Sequence, residues 1–341
     1  MSNLYVDNIG HLPTIRIKKK FDNIISIPFI IKKENIFHIS VVAGIIHIYY
    51  PELCDEIMKY LQYIPCIADI YISTDTLEKR EKIAEAFKSY TNGKVEIRIA
   101  QNVGRDVAPM FVLFKDVFKN YNYFFHIHTK KSPQQSVLEG WREYLFSSLL
   151  GSKQIIENNL FLLQNEIGVI FPDHYSIVKR IIYWHKGDYF KFQELMKRCG
   201  IDVDYNNPLE FPSSTMFWAR TDIFKPLLEL NLTWDDFNKE EGQISGTLAH
   251  SIERTVLYLC ELKYKWVKIK REENQAETKA YGVQEINEHL ERNFYSLLEK
   301  RPELMALELE KLIKNCRRVK MAVNLYHLTL LKIKRRFKRK I

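Results

Sequence analysis

The chain is poor in cysteine, glycine and proline, and it has no long uncharged apolar run. Its five cysteines, Cys54, Cys66, Cys199, Cys260 and Cys316, are scattered and odd in number. None stands in a Cys-x-x-Cys pair, which argues against a disulfide framework or a sulfur-ligated zinc site and points to a reducing compartment. Twelve glycines and 11 prolines in 341 residues are too few for a fibrous repeat or a low-complexity chain. No stretch reaches the ~18 apolar residues of a spanning helix. The N-terminus, MSNLYVDNIGHLPTIRIKKKFDN, carries charge but no apolar signal core, so the expected location is the cytoplasm. Acidic residues are missing from positions 311–341, which hold 12 lysines and arginines.

The net charge of +9 is therefore local, because the preceding 310 residues carry 39 basic and 42 acidic side chains. A general nucleic-acid binder spreads its basic residues over a folded face. Here they gather at one end, with only Tyr326 and Phe337 as interleaved aromatics, so no nucleic-acid partner is expected.

Apolar residues make up 46% of the chain, with 20 Phe and 19 Tyr, enough for a sizeable core. Residues 1–36 read as an irregular lead-in. From there strands and helices alternate: a buried strand over 38–50, a helix after Pro51, a strand over 68–74, a helix over 77–90, a strand over 94–100, a helix over 107–120 and a strand over 123–129. A helix over about 136–165, a strand over 167–172, a polar aromatic stretch to about 210, a strand over 216–220, a helix over 247–262 and a strand over 265–270 follow. Residues 280–341 read as helical and amphipathic. Such alternation implies an α/β fold with a mostly parallel sheet, whose ligand sits beyond the carboxyl ends of the strands. The expected division is 1–36, then one domain over 37–272, then an extension over 273–341. His47, Asp75, Asn102 and His128 all fall at or just past strand ends.

Four clusters carry candidate chemistry. In NVGRDVAP, Gly104 permits a tight turn. Arg105 could hold a diphosphate and Asp106 a sugar hydroxyl, or the group is an ordinary Asn-Gly-Asp turn. In HIHTKKS, His126 and His128 share a strand face and Lys130 and Lys131 follow; they suit a metal or a diphosphate, or they are packed histidines. FPSSTMFWAR is a hydroxyl-rich loop before a bulky strand, a sugar-binding loop or a plain turn. In DDFNKEEGQISGTLAHSIER, acids precede a helix bearing His250, Glu253 and Arg254; one is a general base, or all are capping residues.

Together and in this order, with HIYYPEL, DIYISTD and GWREYLFSSLLGS between them, these segments resemble the rhamnan synthesis protein F family over roughly residues 38–270. The resemblance implies a GT-A-like glycosyltransferase. It would transfer a sugar, rhamnose or another deoxy or furanose sugar, from a UDP- or dTDP-linked donor. The acceptor would be a lipid-linked O-antigen, capsule or wall glycan. In such an enzyme the loop His47 to Tyr50 and Asp75 hold the base and ribose. Asn102, Gly104, Arg105 and Asp106 complete the donor site. Where the fourth strand usually ends in a metal-binding Asp-x-Asp, this chain has His128, Lys130 and Lys131. Either His128 and His250 share a metal such as Mg²⁺ or Mn²⁺, or the lysines and Arg105 replace it; carboxylates suit Mg²⁺ better than imidazoles. Ser214, Thr215, Trp218, His250, Glu253 and Arg254 fall on the sugar and acceptor side. Two departures stand out. Ser245 replaces the family's usual acid before Gly246-Thr247, and Ser213-Ser214-Thr215 replaces Ala-Gly-Ser/Thr. The general base then falls to Glu240, with Glu241 beside it. A non-catalytic glycan-binding or scaffold subunit is the rival reading. The basic tail, with Ile313, Val319, Leu325, Leu328 and Phe337 among its cations, is expected to lie on an anionic inner-membrane surface.

Overall fold

A computed structural model describes residues 24–32, 39–129, 140–176, 178–182, 184, 188–203, 209–242, 245–271, 280–282 and 285. Lys130, Lys131 and the tail 311–341 lie outside the described residues.

The first half lays down β1 (Ile24–Ile27), β2 (Ile30–Ile31), β3 (Val41–His47), α1 (Cys54–Leu61), β4 (Ile67–Thr74), α2 (Leu77–Ala86), β5 (Val95–Ile99), α3 (Val117–Asn120) and β6 (Tyr123–His128). The second half follows with α4 (Trp141–Leu150), α5 (Lys153–Gln164), β7 (Ile167–Pro172), α6 (Asp188–Arg198), β8 (Phe217–Arg220), α7 (Lys225–Leu228), α8 (Leu248–Glu261), β9 (Lys265–Arg271) and β10 (Ala280–Tyr281). Eight strands form one sheet in the order β1-β9-β7-β8-β6-β3-β4-β5. All neighbours are parallel except β8, which runs antiparallel to both β6 and β7. The expected α/β class with a mostly parallel sheet flanked by helices is what the chain adopts.

The strands form where β-branched and aromatic residues run together, because both sheet faces are covered and neither needs polar side chains. All six residues of β7 are buried. One face packs Ile46, Ile72, Phe125 and Trp218 against α1, α4 and α5. The other packs Ile45, Phe124, Phe217 and Val169 against the 107–118 segment, α6 and α8.

Four expected elements differ. The helix over 136–165 is two helices. At the break Ser152 turns extended, with φ −163° and ψ 163°, and its side chain caps α5 by accepting from the Ile155 amide. The helix over 107–120 is a wide turn at Pro109–Leu113 and then α3. The Arg98 guanidinium takes the Leu113 carbonyl at 2.6 Å, so that carbonyl is withdrawn from the helical ladder. The lead-in 1–36 is not irregular throughout. β1 pairs with β9 at the sheet edge, and buried Asn158 bonds both main-chain groups of Phe29 at 2.8 and 3.0 Å. Ala280–Tyr281, expected as helix, pairs in parallel with β2.

The parallel strands β3, β4, β5, β6, β7 and β9 end at one edge. Antiparallel β8 begins there, with Phe217 opposite His126. The loop 210–216 is thereby delivered to the carboxyl edge, beside the ends of β6 and β7.

Candidate functional site

A cavity of ≈ 650 Å³ opens at that edge, lined among others by His47, Tyr50, Asn102, Arg105, His128, Ser213, Glu240 and His250. The segments singled out in the sequence as NVGRD, HIHT, PSST and KEE…AHSIER converge on it.

The turn at Gly104 and Arg105 places two successive residues in the left-handed region, with φ of 64° and 56°. Glycine is required at the first. A Cβ there would stand 2.5 Å from Phe237 Cδ1 and 2.6 Å from Ala108 Cβ. The conformation projects Arg105 across the cavity, where Nε donates to Glu240 Oε2 at 3.1 Å and Nη1 to His250 Nε2 at 3.3 Å. Accepting at Nε2 leaves His250 to donate from Nδ1 to Thr247 Oγ1, 2.7 Å away. Burial, reinforced by the Arg105 and Arg254 charges, pushes His250 down to about 4, so the ring is neutral at pH 7. An isolated bridge between Val103 and Lys239 ties the two loops together.

Asp106 turns inward and accepts the Thr215 hydroxyl. It is only 7% exposed, and burial works to raise its pKa. His128, His126, the Thr215 hydroxyl and His47 outweigh burial, and the carboxyl is held below its ordinary range. Thr215 has a φ of 53°, a rare conformation for a β-branched residue. Its carbonyl accepts from His126 Nδ1 at 2.6 Å, and the Ser214 carbonyl from His128 Nε2 at 2.9 Å. The hydroxyl-rich loop is thus seated on β6 by both of its expected histidines. Burial pushes His126 and His47 to about 4 as well, and the Asp106 carboxylate only partly opposes it. His126 is fully buried, and its Nε2 has no hydrogen-bond partner among the described residues. His47 Nδ1 lies 2.9 Å from Ser73 Oγ.

Several expected residues take other places. Trp218 does not reach the cavity: it is fully buried against Phe125 and donates to the Leu149 carbonyl at 3.0 Å, because both faces of β8 are covered. Asp75 stands past β4, outside the lining, ion-paired to Lys79, which in turn lies 3.6 Å above the Tyr49 ring. Glu241 is exposed, whereas Glu240 lines the cavity as the counter-charge of Arg105. Glu253 lines the cavity, and buried Arg254 donates to the His250 carbonyl at 2.7 Å.

Position 245, where the family acid is missing, is not without a carboxylate. Ser245 donates to Asp188, which is 5% exposed and 3.6 Å from Arg254. Asp188 heads α6, a helix within the stretch expected to be polar and aromatic, with Tyr189, Phe192, Leu195 and Met196 as its buried stripe. Thr129, whose hydroxyl accepts the Tyr49 and Tyr50 amides at 2.8 and 3.2 Å, and the cavity-lining Trp141 are residues not anticipated; Phe211 and Ser213 of the hydroxyl-rich loop line the cavity too.

His128 and His250 line the same cavity, yet both are engaged. His128 has a ring nitrogen against each of two main-chain carbonyls, and His250 Nε2 is held by Arg105. Among the described residues no group of three or more His, Cys, Asp or Glu could hold a metal ion. The residues present therefore do not fit a metal shared by these two histidines.

A family model described as rhamnan synthesis protein F matches residues 3–264, and the chain belongs to that family. WxcX, a protein of Xanthomonas campestris pv. campestris strain B100, is 31% identical over 217 residues, 62% of this chain. The match spans only 30% of that relative's length. A mannosyltransferase from Pyrobaculum calidifontis, solved with GDP-Man and Mn²⁺, aligns over 89% of this chain and 70% of its own, with 7% identity and a TM-score of 0.37. A 4-diphosphocytidyl-2C-methyl-D-erythritol synthase from Anaerococcus prevotii aligns over 76% and 96%, with 8% identity and a TM-score of 0.35.

Proposed function

We propose that the protein is a GT-A-like glycosyltransferase that moves a sugar from a nucleoside-diphosphate donor, UDP- or dTDP-linked, onto a hydroxyl of a growing lipid-linked bacterial surface glycan. The observation that carries this reading is Arg105, which a strained turn aims into the cavity at the carboxyl edge of the sheet. A guanidinium is suited to a diphosphate, which it can grip with two parallel hydrogen bonds. Neutral His250 adds no competing positive charge, and Glu240 holds the guanidinium in place until the donor arrives. Tyr49, Tyr50 and Asn102 line the cavity around it and are the proposed contacts of the nucleoside. Ser214, Thr215, Glu253 and the His250 rim are proposed for the sugar and acceptor.

Bond breaking at the anomeric carbon leaves negative charge on the diphosphate. Arg105, with Lys130 and Lys131 following β6, is the proposed stabiliser. Membership of the rhamnan synthesis protein F family supports a surface-glycan acceptor, reached on the inner face of the membrane through the basic tail. Release of UDP or dTDP from sugar nucleotides by the full chain tests the proposal. Turnover that Arg105→Ala abolishes supports it. Saturable glycan binding with no turnover of any sugar nucleotide would instead make the protein a scaffold subunit.

A further inference from the structure

The loop that seats on β6 through Ser214 and Thr215 is held at its other end by a second buried network. His174, two residues beyond β7 and 7% exposed, places Nδ1 3.0 Å from Ser213 Oγ. Its Nε2 is hydrogen-bonded to Glu210 Oε1. The other Glu210 oxygen lies 3.1 Å from Lys268 Nζ, a lysine of β9 that is 1% exposed and also sits 3.6 Å from Asp173. Beside so buried an ammonium Glu210 is ionised, and a carboxylate can only accept. The Glu210 bond therefore requires the His174 proton on Nε2, which in the neutral ring leaves the Nδ1 lone pair facing the Ser213 hydroxyl. Ser213 lines the cavity; neither His174 nor Glu210 does.

We propose that Ser213, His174 and Glu210 form a proton relay whose hydroxyl end faces the cavity, and that it receives the proton of the acceptor hydroxyl. The relay stands on its own geometry; the origin of the proton rests on the glycosyl-transfer reading above. In the step, the acceptor oxygen bonds to the anomeric carbon as the bond to the diphosphate breaks. The acceptor proton passes to Ser213 Oγ while the Ser213 proton passes to His174 Nδ1. The imidazolium so formed is stabilised by Glu210, which stays ionised. Ser213 is then a catalytic residue. His174 and Glu210 are positioning residues acting through it, and Lys268 fixes the carboxylate. Glu240 is freed from the role of base, in keeping with its bond to Arg105.

The arrangement predicts a serine more nucleophilic than any surface serine. A fluorophosphonate probe reads this directly: Ser213 Oγ bonds to phosphorus, fluoride leaves and the proton goes to His174. The full chain should label on the Ser213 peptide, as located by mass spectrometry. His174→Gln should slow labelling at least tenfold with the melting transition retained. Glu210→Gln, which keeps the shape of the acceptor, should slow it by a smaller factor, and Glu210→Asp should restore part of the rate. In turnover of a UDP- or dTDP-sugar, Ser213→Ala should lower kcat at least tenfold with the donor Kd unchanged, a split that a merely structural role would not give. Labelling of Ser213 no faster than of a surface serine, or labelling unaffected by His174→Gln, overturns the relay. Reactive Ser213 without turnover of any sugar nucleotide overturns the proton's assignment to glycosyl transfer and leaves the relay standing. Arg105-dependent turnover with an inert Ser213 overturns the relay alone.

Discussion

Arg105 and His250 meet across 145 residues of sequence, with Nη1 3.3 Å from Nε2. The bond gives Arg105 a neutral partner in addition to its ionic one, Glu240. Arg105→Lys keeps a positive charge but loses the planar fork that presents Nε to Glu240 and Nη1 to His250 in fixed directions. Donor turnover, measured as UDP or dTDP release, should fall about 10²-fold, with the urea midpoint nearly unchanged because the side chain is 42% exposed.

Glu240→Gln separates two roles for that residue. As a holder of Arg105, glutamine still offers an oxygen to Nε, and kcat should fall less than about tenfold while donor affinity shifts. A general base replaced by an amide would cost roughly 10²–10⁴-fold in kcat. Steady-state kinetics with a direct measurement of donor Kd distinguishes the outcomes.

Gly104→Ala should destabilise the protein by about 1–3 kcal/mol through the left-handed φ alone. The crowding against Phe237 and Ala108 adds to this. The turn that aims Arg105 should shift with it, so weakened donor binding should accompany the lowered urea midpoint.

Acid should destabilise the fold early. His47, His126 and His250 are pushed down to about 4 by burial. In the unfolded chain a histidine titrates near 6.5, so between about pH 6.5 and 4 the unfolded state binds more protons and stability falls as pH falls. For one fully buried histidine such as His126 the loss is on the order of 3 kcal/mol. Asp106, held below its ordinary range, acts in the same direction at lower pH, its support fading as pH drops through the unfolded value near 4. Urea midpoints between pH 7.5 and 4.5 should therefore decline steeply, and His126→Gln should flatten the slope.

The tail 311–341 carries 12 basic and no acidic residues. At roughly 1 kcal/mol per basic residue near an anionic surface, it should bind vesicles containing phosphatidylserine, and added salt should release it. The full chain should co-sediment with such vesicles and not with neutral ones. A chain ending near residue 310 should lose this while keeping donor turnover. Equal binding by the truncated chain would show that the tail is not the anchor.

Much of the fold was legible in the sequence because covered sheets need apolar runs. The β3, β4, β5, β6, β7 and β9 segments all announced themselves that way. The direction of β8 was not, since MFWAR pairs equally well either way until tertiary packing decides. β1 went unread because IISI is four residues long and gains its order from parallel pairing with β9, at the far end of the described sequence. In the site, the NVGRD and PSST motifs were visible as clusters of turn and hydroxyl residues. The bond from Thr215 to Asp106 and the network of His174, Glu210 and Lys268 were not. Their members lie on separate strands and loops with no shared spacing. Trp218 misled because it follows closely on the hydroxyl-rich loop, while the strand that carries it is covered on both sides and leaves it fully buried.

The antiparallel β8 has one more consequence. It is an interior strand, flanked by β6 and β7, and the hydroxyl-rich loop leads straight into it. The amides of 217–219 should exchange with solvent deuterium only when the whole sheet opens. Those of 240–242, on an exposed loop, should exchange through local fluctuation. The cavity is thus bounded by one wall as durable as the sheet and one that yields, and the yielding wall is the one that holds Arg105.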